Sequence, residues 1–394
     1  MKRRPVSTSS PFLKVVQREW RLVSTHSIYY AGMIVVPLFF AVFLLTLMGE
    51  GLPGDLPIAV VDLDNTSNTR KLVDNLDSFS ESHVVLRTAS FTEARELMQQ
   101  NEAFGILVIP RGFTEKVSSG KQPTINYYLN YHSIIGGNLS YKNLRMISEM
   151  ANGAVGLQMG TLMGKTETEI MTNVMPIVVK DQIKGNKWLN YSVYLSNILI
   201  LGIIQLLIMQ VTAYAVGVEI KAKSAEEWLE TAGGSMHVAL AGKLAVHTLI
   251  WFVVGCACLA MLYTFCGFPL ANGWGPMLLA LLLLIVAAEA VGVFFITLVP
   301  ILRLGVSLAS LFGVLTFSIV GFSFPIDAMY SPFVPLSYLF PMRYYYMIYT
   351  DQSLNGFPLS LSIPYYLGLA AFVLLPLLCA GNLKRELSEV SYVL

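Results

Sequence analysis

Apolar residues in this chain gather into six long runs, with one polar block near the front. A helix needs about 20 mainly apolar residues to cross a hydrocarbon core. Six stretches meet that length: Ile28 to Met48, Tyr191 to Gly217, Val238 to Phe265, Trp274 to Val299, Leu302 to Phe322 and Ile363 to Gly381. The first reads as a span and not as a cleaved leader, because its run is long and no small-residue cleavage site follows before Glu50. Residues 323–356 are also apolar but are broken by Pro325, Pro332, Pro335 and Pro341. Proline removes a donor and ends or kinks helices. Irregular backbone at membrane depth is tolerated only under protein or water cover. The segment is therefore expected to be a re-entrant hairpin on the outer side, with Arg343, Asp351 and the run Tyr344, Tyr345, Tyr346 reaching the interface.

Basic residues near span ends set orientation. Lys2, Arg3, Arg4, Lys14, Arg18 and Arg21 precede the first run. Lys221, Lys223 and Lys243 lie around the second-to-third loop, Arg303 between the fourth and fifth runs, and Lys384 and Arg385 after the sixth. Six spans put all of them on one side. Both termini are then expected to be cytoplasmic, in a bacterial inner membrane, with residues 50–187 outside. Composition agrees: 55% of residues are hydrophobic and 13% charged, against about 25% charged in a soluble domain. The net charge of +1 gives no reason to expect nucleic acid. Cys256, Cys258, Cys266 and Cys379 sit in or at the ends of apolar stretches, with no CxxC pair. Neither a disulfide framework nor a metal site is expected.

The polar block, residues 49–190, reads as an extracytoplasmic α/β domain between spans one and two. Leu56 to Leu63, Val84 to Ala89, Phe104 to Ile109 and Thr124 to Tyr131 have strand character. Thr92 to Gln100 reads as a helix with Thr92 as its N-cap, and helical pattern dominates from Leu139 to about Ile177. The predicted fold is thus a polytopic α-helical membrane protein: an interfacial segment 1–27, a first span 28–48, the α/β domain, and five further spans within 191–394.

This arrangement, together with VVDLDNTSNTRKLV (Val60 to Val73), GILVIPRGFTEKVSSG (Gly105 to Gly120) and GFSFPIDAMYSPFVPLSYLFPMRYY (Gly321 to Tyr345), resembles the ABC-2 type permeases, membrane subunits of ABC exporters. The resemblance implies a subunit that is not itself an enzyme and binds no cofactor, with ATP and Mg on separate cytoplasmic ATPase subunits. It also implies a second permease, identical or paralogous. GTLMGKT (Gly160 to Thr166) is one residue short of a phosphate-binding loop and does not sit in a strand–loop–helix context. The Asn-x-Ser/Thr triplets at Asn65, Asn138 and Asn190 read as chance matches.

Four constellations could carry the mechanism. In Pro11 to His26, Phe12, Val15, Val16, Trp20 and Val23 form one stripe opposite Lys14, Gln17, Arg18 and Arg21. This is an amphipathic helix suited to anionic lipid, and under the resemblance its Arg18 and Trp20 also rest on the ATPase. In the loop 218–237, Ser224 is expected to cap a short helix that Gly233 and Gly234 end. Glu226 and Glu227 suit its N-terminus, and Trp228 and Leu229 offer an apolar plug for an ATPase. A loop helix lying on the membrane is the plainer alternative. Within the spans, Gln205, Gln210, His247 and Glu289 fall at matched depth, as a cluster holding register or as a cargo-facing or proton-linked site. At the far end, Phe322, Phe324, Pro325 and Arg343 could form an outer gate, or simply pack the hairpin into the interface.

The function expected is a permease subunit exporting a hydrophobic or amphipathic molecule (drug-like, lipid-like or a glycoconjugate), with a periplasmic adaptor left open as a further partner. Two rivals stand beside it. One is a mechanotransmitting ABC subunit, which generally has four spans. The other is a membrane receptor or phage-attachment protein using its outer domain as a binding module, for which neither the loop helix nor the intramembrane polar residues would be needed.

Overall fold

The computed structural model describes residues 10–174, 185–186 and 190–389. Lys2, Arg3, Arg4 and the expected helical run beyond Val174 toward Ile177 lie outside the described residues. The chain divides into two compact units, Glu50–Gln182 and the remainder. Six helices are long and apolar enough to cross a membrane: Ser27–Leu47, Tyr191–Lys221, Met236–Phe265, Trp274–Leu298, Leu302–Ile319 and Leu359–Leu387.

Helix α1 (Pro11–Thr25) starts at a cap in which the Ser10 hydroxyl accepts from the Leu13 amide, with Pro11 at the first position where no amide is needed. The first span is α2 (Ser27–Tyr30) and α3 (Val36–Leu47), joined by a π turn at Ala31–Val35. Pro37, two residues after the turn, has no amide to offer Met33, so the ladder slips here by one residue.

The unit Glu50–Gln182 holds β1 (Leu56–Asp62), α4 (Ser67–Asp77), β2 (Ser82–Thr88), α5 (Phe91–Gln99), β3 (Gly105–Ile109), α6 (Phe113–Ser118), β4 (Asn126–Leu129), α7 (Ile134–Leu162) and α8 (Glu167–Val174). Strand order is β2-β1-β3-β4. β1 runs parallel to both β2 and β3, and β4 is antiparallel to β3. Ile58, Val60 and Leu107 pack with Leu72 and Leu76 of α4 and Leu144 of α7, while Ala59, Val61 and Ile106 pack with Ala94 of α5. Burial on both faces explains why β1 is apolar without alternation. Helix α5 is capped by Ser90, whose hydroxyl accepts from Glu93 N at 3.4 Å, and not by Thr92, because Phe91 is already helical.

The second part of the other unit comprises α9 (Tyr191–Lys221), α10 (Ala225–Thr231), α11 (Met236–Ala260), α12 (Trp274–Leu298), α13 (Leu302–Ile319), α14 (Phe333–Ser337), α15 (Pro341–Ile348), α16 (Leu359–Ala371) and α17 (Leu374–Glu389). Helix α9 is the hub, and small residues bring its neighbours close. A Cβ on Gly313 would lie 2.3 Å from Leu206, one on Gly202 2.7 Å from Phe317, and one on Gly292 2.8 Å from the Met209 carbonyl oxygen. Close backbone approach of this kind is how helices associate where no hydrophobic force distinguishes protein from lipid.

Residues 323–356 form short helices, the longest of eight residues at α15. The expected interfacial role of Tyr344 to Tyr346 is corrected for its central member. Tyr345 is fully buried and its hydroxyl donates to Asn197 Oδ1 at 3.0 Å. Asn197 and Ser353 both donate to the Tyr263 hydroxyl at 3.1 Å, and Tyr349 donates to the Val193 carbonyl at 2.7 Å. Tyr345 and Tyr349 are four residues apart, so they share the face that meets α9.

Replacing Gly292 by Ala is expected to destabilise the protein by about 1–3 kcal/mol, because the new methyl meets backbone that cannot yield. Gly275→Ala, where nothing lies within 4 Å, should be neutral or slightly stabilising in the same thermal-unfolding assay in detergent.

Candidate functional site

A charged group drawn into an apolar bundle must be paired or neutralised. Lys243 of α11 is 1% exposed and stays paired. Its Nζ donates to Glu19 Oε2 at 2.7 Å, to Glu219 Oε1 at 3.0 Å and to the Ala215 carbonyl at 3.4 Å, so all three ammonium hydrogens have acceptors. Arg18 closes the cluster with a two-pronged contact to Glu219, Nη1 to Oε1 at 2.6 Å and Nη2 to Oε2 at 2.9 Å. His247 Nε2 lies 2.9 Å from Glu19 Oε1 and completes that carboxylate. Two acids and two bases, one pair from α1 and one from α9 and α11, thus cancel in charge.

The local sequence explains how these groups meet. Val15 and Glu19 are the buried residues of α1, and they lie one above the other on one face. Gly242 lets that face come close: a Cβ there would stand 2.7 Å from Val15 Cγ1 and 3.3 Å from the Phe12 carbonyl oxygen. The neighbouring Lys243 is then within reach of Glu19. Phe12, Leu13 and Trp20 stay exposed on another flank. Helix α1 therefore has three faces: one packed, one apolar and open, and one basic.

Helix α10 is tied into the same cluster. Ser224 stands at its N-cap position, but its hydroxyl donates to Glu219 Oε2 instead of capping the helix. Trp228 is completely buried, with Lys243 Nζ 4.9 Å from its ring centroid. The expectation of an apolar plug offered to a partner is therefore corrected: Trp228 anchors α10 to its own protein. Leu229 is half-buried, whereas Glu226 and Glu227 are exposed, with Glu227 3.9 Å from Arg18 Nε. The helix ends at Gly233 and Gly234, both with positive φ, and the Gly234 carbonyl accepts from Lys384 Nζ of α17 at 2.9 Å. A cleft of about 610 Å³ between α1, α9 and α10 is rimmed by Lys14, Arg21, Arg18, Glu219 and Glu227.

The four intramembrane residues do not form one cluster. Gln205 and Gln210 reach across to α13, to Thr316 Oγ1 at 3.4 Å and Ser310 Oγ at 2.7 Å. His247 turns to Glu19, and Glu289 accepts from Thr248 Oγ1 at 2.7 Å, its other oxygen without a partner among the described residues. Matched depth is fixed by counting residues, but direction around the helix axis decides who meets whom. At the other end, Phe322 and Arg343 are held by separate partners near the end of α13: Arg343 donates to the Val320 carbonyl at 3.0 Å, and Tyr194 donates to that of Phe322. Phe324 and Pro325 are exposed and take no part in that contact.

Among the described residues no group of three or more His, Cys, Asp or Glu side chains could hold a metal ion. The buried cluster holds four helices, α1, α9, α10 and α11, together. This geometry is accompanied by a sequence match. The ABC-2 family transporter protein profile matches residues 28–381. The chain belongs to the ABC-2 transporter family. A comparison with curated proteins finds no match. Family membership makes this chain a multi-pass membrane component of a transporter and implies ABC ATPase subunits as its partners.

Sequence reasoning missed Glu19, Glu219 and Lys243. Their signal was present: two acids and a lysine stand inside apolar helical faces. Counting basic residues near span ends places Lys243 beside the second-to-third loop, whereas it lies two turns into α11 and faces inward.

Truncating Lys243 to Met leaves Glu19 and Glu219 buried without their shared cation, and should cost about 3–5 kcal/mol. Adding Glu19→Gln removes one of those charges, and the remaining Arg18–Glu219 pair is neutral. The double variant should therefore melt higher than Lys243→Met alone.

Burial would raise the Glu19 carboxyl, but Lys243 and His247 overcome it and bring the group down to about 2. A depressed value means that this group's contribution is complete above its ordinary value of 4.5 and disappears as pH falls toward 2. Spin-label mobility at residue 17 should thus stay low at pH 5–7 and rise progressively below about pH 4.5.

Proposed function

We propose that this chain is the membrane half of an ATP-driven exporter in a bacterial inner membrane, with both termini cytoplasmic, moving hydrophobic or amphipathic molecules outward. ATP and Mg would be handled by a separate ATPase, and a second copy or paralogue would complete the pathway. The observation that carries this reading is the buried cluster of Glu19, Lys243, Glu219 and Arg18. It joins an interfacial helix, a loop helix and two spans into one body, which is what a membrane subunit needs to receive a stroke from a cytoplasmic motor.

In this account α1 lies along the membrane surface, with Trp20, Phe12 and Leu13 toward lipid and Lys14, Arg21 and Gln17 toward the cytoplasm. The exposed acids Glu226 and Glu227 of α10 are the surface an ATPase would grip, while Trp228 sets the height of that surface from within. The domain of residues 50–182 stands outside, where it would guide or cap the exit. The hydrogen-bonded tyrosines around Asn197 favour a hairpin that moves with α9, so any outer gate would open by shifting that body.

Purification of the complete chain in mild detergent should bring an ATPase with it. Reversing Glu226 and Glu227 to Lys should abolish that association while lowering stability only modestly, by about 1–2 kcal/mol from the helix dipole and the lost contact of Glu227 with Arg18. Trp228→Ala should instead lower stability by about 3–5 kcal/mol, losing the ATPase only as the loop helix loosens. An ATPase retained by the charge-reversed variant would remove α10 from the interface, and no ATPase with the folded wild-type chain would count against the transporter reading.

A further inference from the structure

The sixth span is interrupted. Helix α16 ends at Ala371 and α17 begins at Leu374. Across the break the backbone bonds shorten to three-residue steps, Phe372 N to Leu369 O, Val373 N to Ala370 O and Leu375 N to Phe372 O. Pro376 accounts for the last of these, since it has no amide to offer Phe372. Broken helices at membrane depth persist where the backbone is covered by protein or lines a cavity, and in transporters they frequently mark the ligand site.

This break lines a cavity. Ala371, Phe372 and Leu375 form one wall of a cleft of about 450 Å³ between α12, α13, the α14–α15 segment and α16, a size suited to a small organic ligand. Two arcs of rings dominate the lining, alongside Val291, Leu339 and Gly368. Phe294, Phe295 and Phe312 follow one another at centroid distances of 5.5 and 5.2 Å. Tyr338, Tyr344 and Phe372 do so at 6.0 and 6.2 Å. The walls are held before any ligand arrives: Phe312 is stacked on Phe340 at 4.4 Å, and the Tyr344 hydroxyl donates to the Tyr338 carbonyl at 3.0 Å. Gly368 makes room for Tyr344, because a Cβ there would lie 2.2 Å from the ring. No acidic side chain lines the cleft, and the Arg343 guanidinium already sits 5.9 Å from the Tyr338 ring centroid.

We propose that this cleft is a binding site, within a single copy of the chain, for an uncharged ring-containing amphipathic molecule entering from the bilayer. The apolar rings take its body by edge and stacking contacts. The absence of an acid and the presence of Arg343 discriminate against cations. Leu339 and Tyr338, both exposed, form the mouth. The site would deliver cargo under the exporter reading, but binding itself does not depend on it: a chain that binds here and recruits no ATPase would fail that reading and keep this one.

The test is saturable binding of the neutral fluorophore N-phenyl-1-naphthylamine to the full chain in nanodiscs, measured against protein-free nanodiscs. Ala371→Trp, which fills the cleft from an exposed position, should weaken binding by at least about tenfold. Tyr338→Ala, which removes one ring at the mouth, should also weaken it. Leu378→Trp, on the open face of α17, should leave it unchanged. Tetraphenylphosphonium, a cation with similar rings, should bind at least about tenfold more weakly than the neutral probe. Wild-type affinity in a well-folded Ala371→Trp protein would overturn the proposal, and so would equal affinity for the cation.

Discussion

A lysine ammonium sealed among packed helices holds this fold's cluster end together. Burying an isolated ammonium costs several kcal/mol even after the surroundings relax, so Lys243 requires acids at bonding distance, and it draws them from two different elements. Glu19 comes from the helix before the first span and Glu219 from the end of α9. Arg18 then neutralises the second acid, and Ser224 and Trp228 pull α10 onto the same point. The arrangement is weak evidence for stability as such, since an apolar replacement can serve as well. What it provides is registry: α1 and α10 have one position relative to α9 and α11 in which every buried charge is satisfied.

Other features of the bundle follow from the same need for close, specific approach. Gly242 admits α1, and Gly202, Gly292 and Gly313 admit the neighbours of α9. Polar rungs such as Gln210 to Ser310 and Glu289 to Thr248 fix rotation about the helix axes. At the opposite end Tyr345, Asn197 and Tyr263 do for the proline-rich segment what Lys243 does for α1. Between these two pinned ends lie the break at Phe372 and the aromatic cleft beside it.

How far the sequence could be read depended on what kind of information each feature required. Span positions needed run length alone, so Tyr191, Trp274 and Leu302 were legible as helix starts. The parallel strands β1 and β3 were legible from LPIAVVD and GILVI. Pairing required rotation about the helix axis, which residue counting at one depth does not supply, and so Gln205, Gln210, His247 and Glu289 were wrongly joined. Trp228 was read as an exposed anchor because a lone tryptophan in a polar loop gives no sign of which way it turns. Glu19 was hidden by its apolar neighbours: Val15 four positions before it and Leu22 three after mark a packing face, and an acid on such a face announces a buried partner.

The most direct test is the distance between spin labels at Gln17 on α1 and Glu230 on α10, measured in the complex with its ATPase, nucleotide-free and vanadate-trapped. If the ion cluster makes these elements one body, the distance distribution stays narrow and unchanged between the two states. In the Lys243→Met protein it broadens. A distance that shifts on nucleotide trapping in the intact protein would show that α1 and α10 move independently, and would contradict a transmission path through Lys243.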